Sequence, residues 1–287
     1  MSRRRARDEP MEPYHYNEEL QAEFQRILLE KINERAKPGD IVSHVYGPNM
    51  DVYNLLPQCI HVESSVGYLA SPGLPFRIYE SSAWMHWHYG KSDQEDGSNY
   101  KWVIPAAFDA DKWVFWREPD NYAVFLGRVT QRKDMNELIE IVKCVPDLPI
   151  HVYGPGDATP WTTTAPANIV FKGAVFGQER VEVVRRARCM LMLTVYIEPF
   201  GNSGIEAQLC GVPLISVSYG AFQETIIEGV TGYRCHTLAE WVAAIQLNPT
   251  LDRETIANLA RARYSKEIIG QNDDWVFHQF ADLSRQG

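Results

Sequence analysis

Two acidic residues flank a turn in the stretch Glu198-Pro-Phe-Gly-Asn-Ser-Gly-Ile-Glu206. The apolar run 189–197 before it is typical of a buried strand, Pro199 and Gly201 turn the chain, and residues 203–209 favour a helix. The free N–H groups of a helix start attract phosphate, and a carboxylate can accept hydrogen bonds from two neighbouring hydroxyls. The stretch therefore indicates a nucleotide-sugar site, against the alternative of two solvated acids around an ordinary strand-to-helix turn.

The composition is that of a globular protein. Hydrophobic residues make up 45% of the 287 residues and charged residues 23%, which allows a buried core and two domains of ordinary size. The longest apolar run, 189–197, falls short of the roughly 20 residues of a membrane span, and the first residues lack a signal-peptide pattern. We therefore expect a soluble, cytoplasmic protein, with residues 1–16 as a disordered arm.

Charge and cysteine content bear on nucleic acids and metals. The formal net charge of -9 disfavours broad affinity for nucleic acid. The five cysteines are odd in number and scattered, mostly in apolar surroundings, which favours buried thiols over disulfides or a zinc site. Asp109 and Asp111 lie between two predicted domains rather than after the strand of a single nucleotide-binding domain, so we expect no metal site there.

Short strands alternate with helices and end in polar or glycine-rich residues, which is the order of an α/β fold whose loops collect at the strand ends. The first part predicts a helix over 17–37 and strands at 40–45, 58–62 and 76–79. A second, doubly wound alternation begins at residue 122. The predicted domains are 1–118, 119–270 and 271–287, the last being a helix that crosses back to the first domain.

A string of short motifs runs through the chain. They are Ile104-Pro-Ala-Ala-Phe-Asp, Leu126-Gly-Arg-Val-Thr-Gln-Arg-Lys, Val152-Tyr-Gly-Pro-Gly, Asn168-Ile-Val-Phe-Lys-Gly, the Glu198 and Glu206 pair, Gly211-Val-Pro-Leu-Ile, Gly220-Ala-Phe-Gln-Glu and Gly229-Val-Thr-Gly-Tyr. Their order resembles that of the retaining glycosyltransferases of family four, also called glycosyltransferase group 1. The resemblance extends from about residue 40 to near the C-terminus. It implies a GT-B fold, in which two Rossmann-like domains face each other across a cleft, with a shortened N-terminal domain.

The resemblance also implies a reaction. A hexose would pass with retention from a nucleoside diphosphate sugar, of the UDP or GDP type, to a hydroxyl acceptor, without a metal or other cofactor. Arg128 and Lys133, just past the end of the first strand of their domain, would neutralise the leaving diphosphate. Glu198 would hold hydroxyls of the sugar, and Glu206 the ribose diol. The implied donor-binding positions are Gly127, Gly173, Val175, Gly201, Asn202, Ser203 and Glu206.

Candidates for the acceptor side come from the first predicted domain. His61 and Glu63 lie at the end of a predicted strand and could orient an acceptor or transfer a proton. His86 and His88 belong to the aromatic stretch Ala83-Trp-Met-His-Trp-His-Tyr-Gly, on which a planar acceptor could stack. The alternatives are a buried His61 and plain aromatic packing at a domain interface.

Three other functions fit the same sequence. Because the first domain is short, the chain could be a nucleotide-sugar-binding subunit that is inactive or depends on a partner. It could then form a homo-oligomer or bind a partner subunit. A nucleotide-sugar epimerase would share the two-domain architecture, and a glycosyltransferase acting on modified DNA bases would share the donor site. The acidic balance of the chain counts against a DNA acceptor.

Overall fold

Two parallel β-sheets form the centre of the structure, a computed structural model that describes residues 18–45, 47–69 and 73–285. The predicted arm at residues 1–16 lies outside these ranges. The first sheet has the order β1-β2-β3-β4, with strands β1 (Ile41–Val45), β2 (Ile60–Val66), β3 (Phe76–Tyr79) and β4 (Lys101–Val103). The second has the order β10-β9-β8-β5-β6-β7, with strands β5 (Ala123–Leu126), β6 (Ile150–Tyr153), β7 (Ile169–Gly173), β8 (Cys189–Met192), β9 (Leu214–Val217) and β10 (Gly232–Cys235).

Helices connect the strands and cover the sheets. They are α1 (Glu18–Arg35), α2 (Met50–Leu55), α3 (Ser82–Lys91), α4 (Met135–Cys144), α5 (Thr159–Thr162), α6 (Gly177–Arg185), α7 (Asn202–Leu209), α8 (Phe222–Thr225), α9 (Leu238–Leu247), α10 (Arg253–Tyr264) and α11 (Lys266–Ser284). Within the described ranges, every helix is too short or too polar to cross a membrane.

The central strands of the second sheet are buried on both faces, which explains why they are almost entirely apolar. All four residues of β5, β8 and β9 are buried. The strand order reverses between β5 and β8, so the loops after these two strands diverge and leave a crevice. In open parallel sheets, ligands bind at such a switch point.

The last helix, α11, returns to the first sheet. The chain passes from α10 into α11 at Ser265, beside Phe108 of the segment that joins the two sheets, where Phe108 N donates to Tyr264 O at 2.9 Å. Beyond this point Val276 and Phe280 are buried against the first sheet. Backbone hydrogen bonds therefore hold together the two places at which the chain passes between the sheets.

A buried arginine anchors the same joining segment to the second domain. The guanidinium of Arg253 donates to the carbonyls of Trp116 (2.9 Å), Ala187 (3.0 Å) and Arg185 (2.7 Å). Burial lowers the pKa of Arg253 to about 10, which still leaves it charged at neutral pH. Three carbonyl acceptors thus satisfy a buried cation that has no carboxylate partner in the part of the chain that the structure describes.

Two buried histidines, His44 of β1 and His61 of β2, form a hydrogen-bonded chain in the first sheet. Asn49 N donates to His44 Nδ1 (3.0 Å), His44 Nε2 lies 2.9 Å from His61 Nδ1, and His61 Nε2 lies 2.9 Å from Leu56 O. Because a backbone N–H occupies Nδ1 of His44, the chain is satisfied when each ring is neutral and donates through Nε2. Burial, followed by the charge of His61, lowers the pKa of His44 to about 4.

This arrangement predicts acid sensitivity. In the unfolded chain His44 takes up a proton near pH 6.5, whereas the folded ring stays neutral down to about pH 4. The free energy of unfolding should therefore fall as the pH drops through this window, by up to about 3 kcal/mol from this ring. Denaturant unfolding at pH 7 and pH 4.5 measures the difference, which should shrink in His44→Gln and persist in a control change of the exposed His278. An unchanged difference in His44→Gln would contradict the assignment.

Candidate active site

A cavity of about 390 Å³ lies between the two domains at the switch point of the second sheet. Leu126 and Met192, at the carboxyl ends of β5 and β8, form its floor, and Gly67 and Glu80 of the first domain form the opposite wall. The volume lies within the range of about 300–1,000 Å³ of small-molecule sites. Other residues that line the cavity are Gly127, Arg128, Lys133, Gly154, Pro155, Ala174, Val175, Phe176, Arg180, Glu198, Pro199, Phe200, Gly201, Asn202 and Ser203.

The helix start predicted from the sequence opens into this cavity. Helix α7 begins at Asn202, and Gly201 before it has a φ of 86°, a left-handed conformation that favours glycine. No side chain caps the helix, so the amides of Asn202 and Ser203 are without a partner within residues 73–285 and available to an anion.

Lys133 and Glu198 form an ion pair beside this helix start. The Nζ of Lys133 lies 2.6 Å from Oε2 of Glu198, and the two side chains are only 16% and 12% exposed. Burial acts to lower the pKa of Lys133, but attraction to Glu198 outweighs it and the pKa is raised. Lys133 therefore carries a fixed positive charge at the cavity.

Arg128 provides a second cation on the loop after β5. It lines the cavity and is exposed, and no carboxylate of the described chain pairs with it. The arrangement leaves its charge available to a bound anion. Lys133 and Arg128, the two cations expected to act on a diphosphate, thus line the same cavity. Lys133 is paired with Glu198, and Arg128 is without a carboxylate partner in the described ranges.

Glu206, the second acid of the stretch 198–206, lies behind Arg180, which the sequence analysis did not identify as a site residue. Arg180, on α6, lines the cavity, and its Nε donates to Oε2 of Glu206 at 3.0 Å. Burial raises the pKa of Glu206, and the charge of Arg180 opposes this shift. Glu206 itself does not line the cavity, so Arg180 lies between its carboxylate and the cavity.

Val175, one of the predicted donor-binding positions, is also at the cavity. Val175 lines it, together with Ala174 and Phe176. Gly173, the last residue of β7, does not line the cavity. Its carbonyl accepts a hydrogen bond from Gly154 N at 2.9 Å. Gly154, which belongs to the motif Val152-Tyr-Gly-Pro-Gly, also lines the cavity.

The acceptor-side candidates are not brought together at the cavity. The sequence predicted that a strand ends at residue 62, but β2 continues to Val66, so Glu63 lies inside a buried strand. Its carboxylate accepts from Tyr68 Oη (2.8 Å) and pairs with Arg77 Nε (3.1 Å). His61, the second residue of β2, lies still further back and is hydrogen-bonded to His44.

The two histidines of α3 take opposite positions. His88 is buried, and its Nε2 lies 3.1 Å from Tyr68 O, while His86 is exposed and faces away from the cavity. Their helix instead contributes Trp84 to a second cavity of about 440 Å³, which adjoins the first and shares Arg128, Lys133 and Glu198 with it. Further residues of this second cavity are Gly67, Tyr68, Leu69, Thr130, Arg132, Tyr196 and Pro199.

No group of three metal-binding side chains of the His, Cys, Asp or Glu type occurs within residues 18–45, 47–69 and 73–285. Asp109 pairs with Lys266 at 2.9 Å and with Lys112 at 3.0 Å, which ties the joining segment to the start of α11. Asp111 is almost fully exposed.

Comparison of the sequence with known proteins gives a match to a family model and matches to curated relatives. Residues 120–247 match the family model described as glycosyl transferases group 1. Over 172 residues the chain is 28% identical to the D-inositol 3-phosphate glycosyltransferase of Mycolicibacterium smegmatis, a match that covers 55% of this chain. It covers only 39% of that protein, so the chain spans about two fifths of the length of this curated relative.

Solved structures are similar over most of the chain. AviGT4, a glycosyltransferase involved in avilamycin A biosynthesis, superposes with a TM-score of 0.70 at 18% identity, covering 88% of this chain and 78% of its own. Alr3699/HepE of Anabaena, solved in complex with UDP and glucose, has a TM-score of 0.70 at 14% identity, with coverages of 93% and 84%. These likenesses confirm the predicted α/β fold class with its GT-B architecture. Residues 120–247 are therefore similar to the glycosyl transferases group 1 family, and they lie in the second domain of a GT-B fold.

Proposed function

We propose that the chain transfers a hexose from a nucleoside diphosphate sugar to a hydroxyl acceptor, with retention at the anomeric carbon. One observation carries this proposal: the uncapped start of α7, the Lys133–Glu198 pair and the free Arg128 all line one cavity between the domains. The cations and the backbone amides can bind a diphosphate, and the carboxylate can accept hydrogen bonds from the hydroxyls of the sugar next to it.

The proposed mechanism uses the charge of these groups. Arg128, Lys133 and the amides of Asn202 and Ser203 stabilise the negative charge that develops on the departing diphosphate. An oxygen of the diphosphate helps to take the proton of the attacking hydroxyl on the same face of the sugar, which gives retention. Because the cations of the protein neutralise the leaving group, the reaction needs no metal ion.

The placement of the two domains supports the identity of the substrates. The donor groups belong to the second domain, and the adjoining second cavity has an aromatic wall from Tyr68 and Trp84 of the first domain, on which a carbohydrate acceptor could stack. The likeness to Alr3699/HepE, whose structure holds UDP and glucose, favours the UDP type among the donors.

Thermal stabilisation by nucleotides tests the donor site. A ligand that binds only the folded chain at 100 times its Kd adds about 2.7 kcal/mol, which raises the melting temperature by roughly 5–10 °C. We expect one of UDP, GDP and ADP to give this shift, and Glu206→Ala to lose most of it because the ribose loses its carboxylate. Glu179→Ala is the matched control, since Glu179 is an exposed neighbour of Arg180 on α6. No shift with any of the three nucleotides would refute the proposed function.

A further inference from the structure

Glu80 is a cavity residue whose carboxyl group has no partner. It follows β3 directly and is half-buried on the first-domain wall of the donor cavity. The other acid of this cavity, Glu198, pairs with Lys133. For Glu80, by contrast, no hydrogen bond or ion pair forms with any residue in the described ranges, which leaves its half-buried carboxyl group available to a ligand in the cavity.

The three residues that follow Glu80 are hydrogen-bonded to the second domain. Ser81 Oγ donates to Pro199 O at 2.6 Å, and the amides of Ser82 and Ala83 donate to the carboxylate of Glu224 at 2.9 and 2.8 Å. One hydrogen bond thus holds the corner between β3 and α3 against the loop that carries Glu198, and two hold it against α8. The position of Glu80 opposite Glu198 is a consequence of these contacts.

Gly67 forms the surface on which the carboxyl group of Glu80 lies. A Cβ added at Gly67 would be 2.0 Å from Oε2 of Glu80, so the absence of a side chain there makes room for the carboxyl group. Burial, together with the charge of Glu198, raises the pKa of Glu80 to about 7. Near neutral pH much of the group is protonated, and a carboxylic acid can both donate to and accept from a hydroxyl.

We propose that Glu80 binds a hydroxyl group of the donor's sugar, so that the hexose is held between Glu198 of one domain and Glu80 of the other. This inference rests on the proposed function. A diphosphate would be repelled by Glu80 and is matched instead by Arg128 and Lys133 across the cavity. The second cavity, which suits the acceptor, is not lined by Glu80, so the neutral sugar is the part of the donor that fits this group.

The test compares the affinity for a nucleotide with that for its sugar conjugate. Titration calorimetry with UDP, UDP-glucose, GDP, GDP-mannose, ADP and ADP-glucose identifies the pair that the wild-type chain binds. In Glu80→Ala, the affinity for the conjugate should fall about tenfold, while that for the nucleotide alone should change less than about twofold. Glu80→Gln keeps a donor and an acceptor and should lose about threefold or less. Glu95→Ala, an exposed acid of the same domain, is the control and should change neither affinity.

The outcomes separate this inference from the proposed function. If no probe binds the wild-type chain, both are overturned. If the nucleotide and its conjugate weaken equally in Glu80→Ala, or neither weakens, the role of Glu80 in sugar binding is overturned while the donor site remains. Because the change removes an unpaired, half-buried acid whose pKa is raised, the unliganded variant should melt no lower than wild type at pH 8, which checks that it folds.

Discussion

Lys133→Ala should lower turnover of the transfer reaction by roughly 10²–10³-fold at saturating donor. Lys133 is charged, and its Nζ is fixed 2.6 Å from Glu198 at the wall of the donor cavity. Without it the leaving diphosphate loses a preorganised cation, and the carboxylate of Glu198 is left to repel it. Release of the nucleoside diphosphate from the donor that the thermal-shift experiment identifies gives the rate.

Two further variants separate charge stabilisation from loss of structure. Lys133→Ala leaves a buried carboxylate unpaired and should also lower the melting temperature, whereas the double variant with Glu198→Gln should recover stability but not turnover. Arg128 is exposed and unpaired in the described structure, so Arg128→Ala should reduce turnover with the melting temperature unchanged. Lys143→Ala on the surface of α4 is the matched control. Normal turnover in Lys133→Ala would contradict the assigned role.

The fold and the second-domain half of the site were predictable because their signals are local. The turn at Pro199 and Gly201 and the helix after it are encoded in consecutive residues, and α7 begins one residue before the predicted start. The preceding strand was predicted too long: β8 ends at Met192, and the apolar residues after it form an irregular segment over the cavity. Apolar composition alone does not distinguish a buried strand from a buried loop.

The first-domain half of the site was not predictable in the same way. The end of β2 was placed four residues early, which made Glu63 and His61 look like cleft residues although they are internal. Glu80 did follow a predicted strand, and that position at the carboxyl end of a parallel strand was the available signal. Its lack of a partner, and the pairing of Arg180 with Glu206, depend on contacts between distant segments that a single sequence does not record.

The methyl group added in Gly154→Ala should disrupt the donor side of the cavity more than the one added in Gly173→Ala or Gly97→Ala. A Cβ at this position would lie 1.7 Å from the carbonyl oxygen of Gly127, and the φ of 151° is one that other residues rarely adopt. Both partners are backbone, held in place by the hydrogen bonds of Gly127 N to Tyr153 O (3.0 Å) and of Gly154 N to Gly173 O (2.9 Å). The clash can therefore be relieved only by moving the loop that carries Arg128.

We expect Gly154→Ala to lower the free energy of unfolding by about 2–4 kcal/mol and to weaken nucleotide binding about tenfold or more. Denaturant unfolding and the nucleotide titration measure the two effects. Gly173→Ala isolates backbone strain, because its φ is 75° but no atom lies within 4 Å of the added Cβ, and should cost about 1 kcal/mol. Gly97→Ala has neither strain nor a clash and should be neutral. If Gly154→Ala resembles Gly97→Ala in both measurements, the loops after β5 and β6 are not held together as the structure shows, and the cavity wall they form must adapt to its ligand.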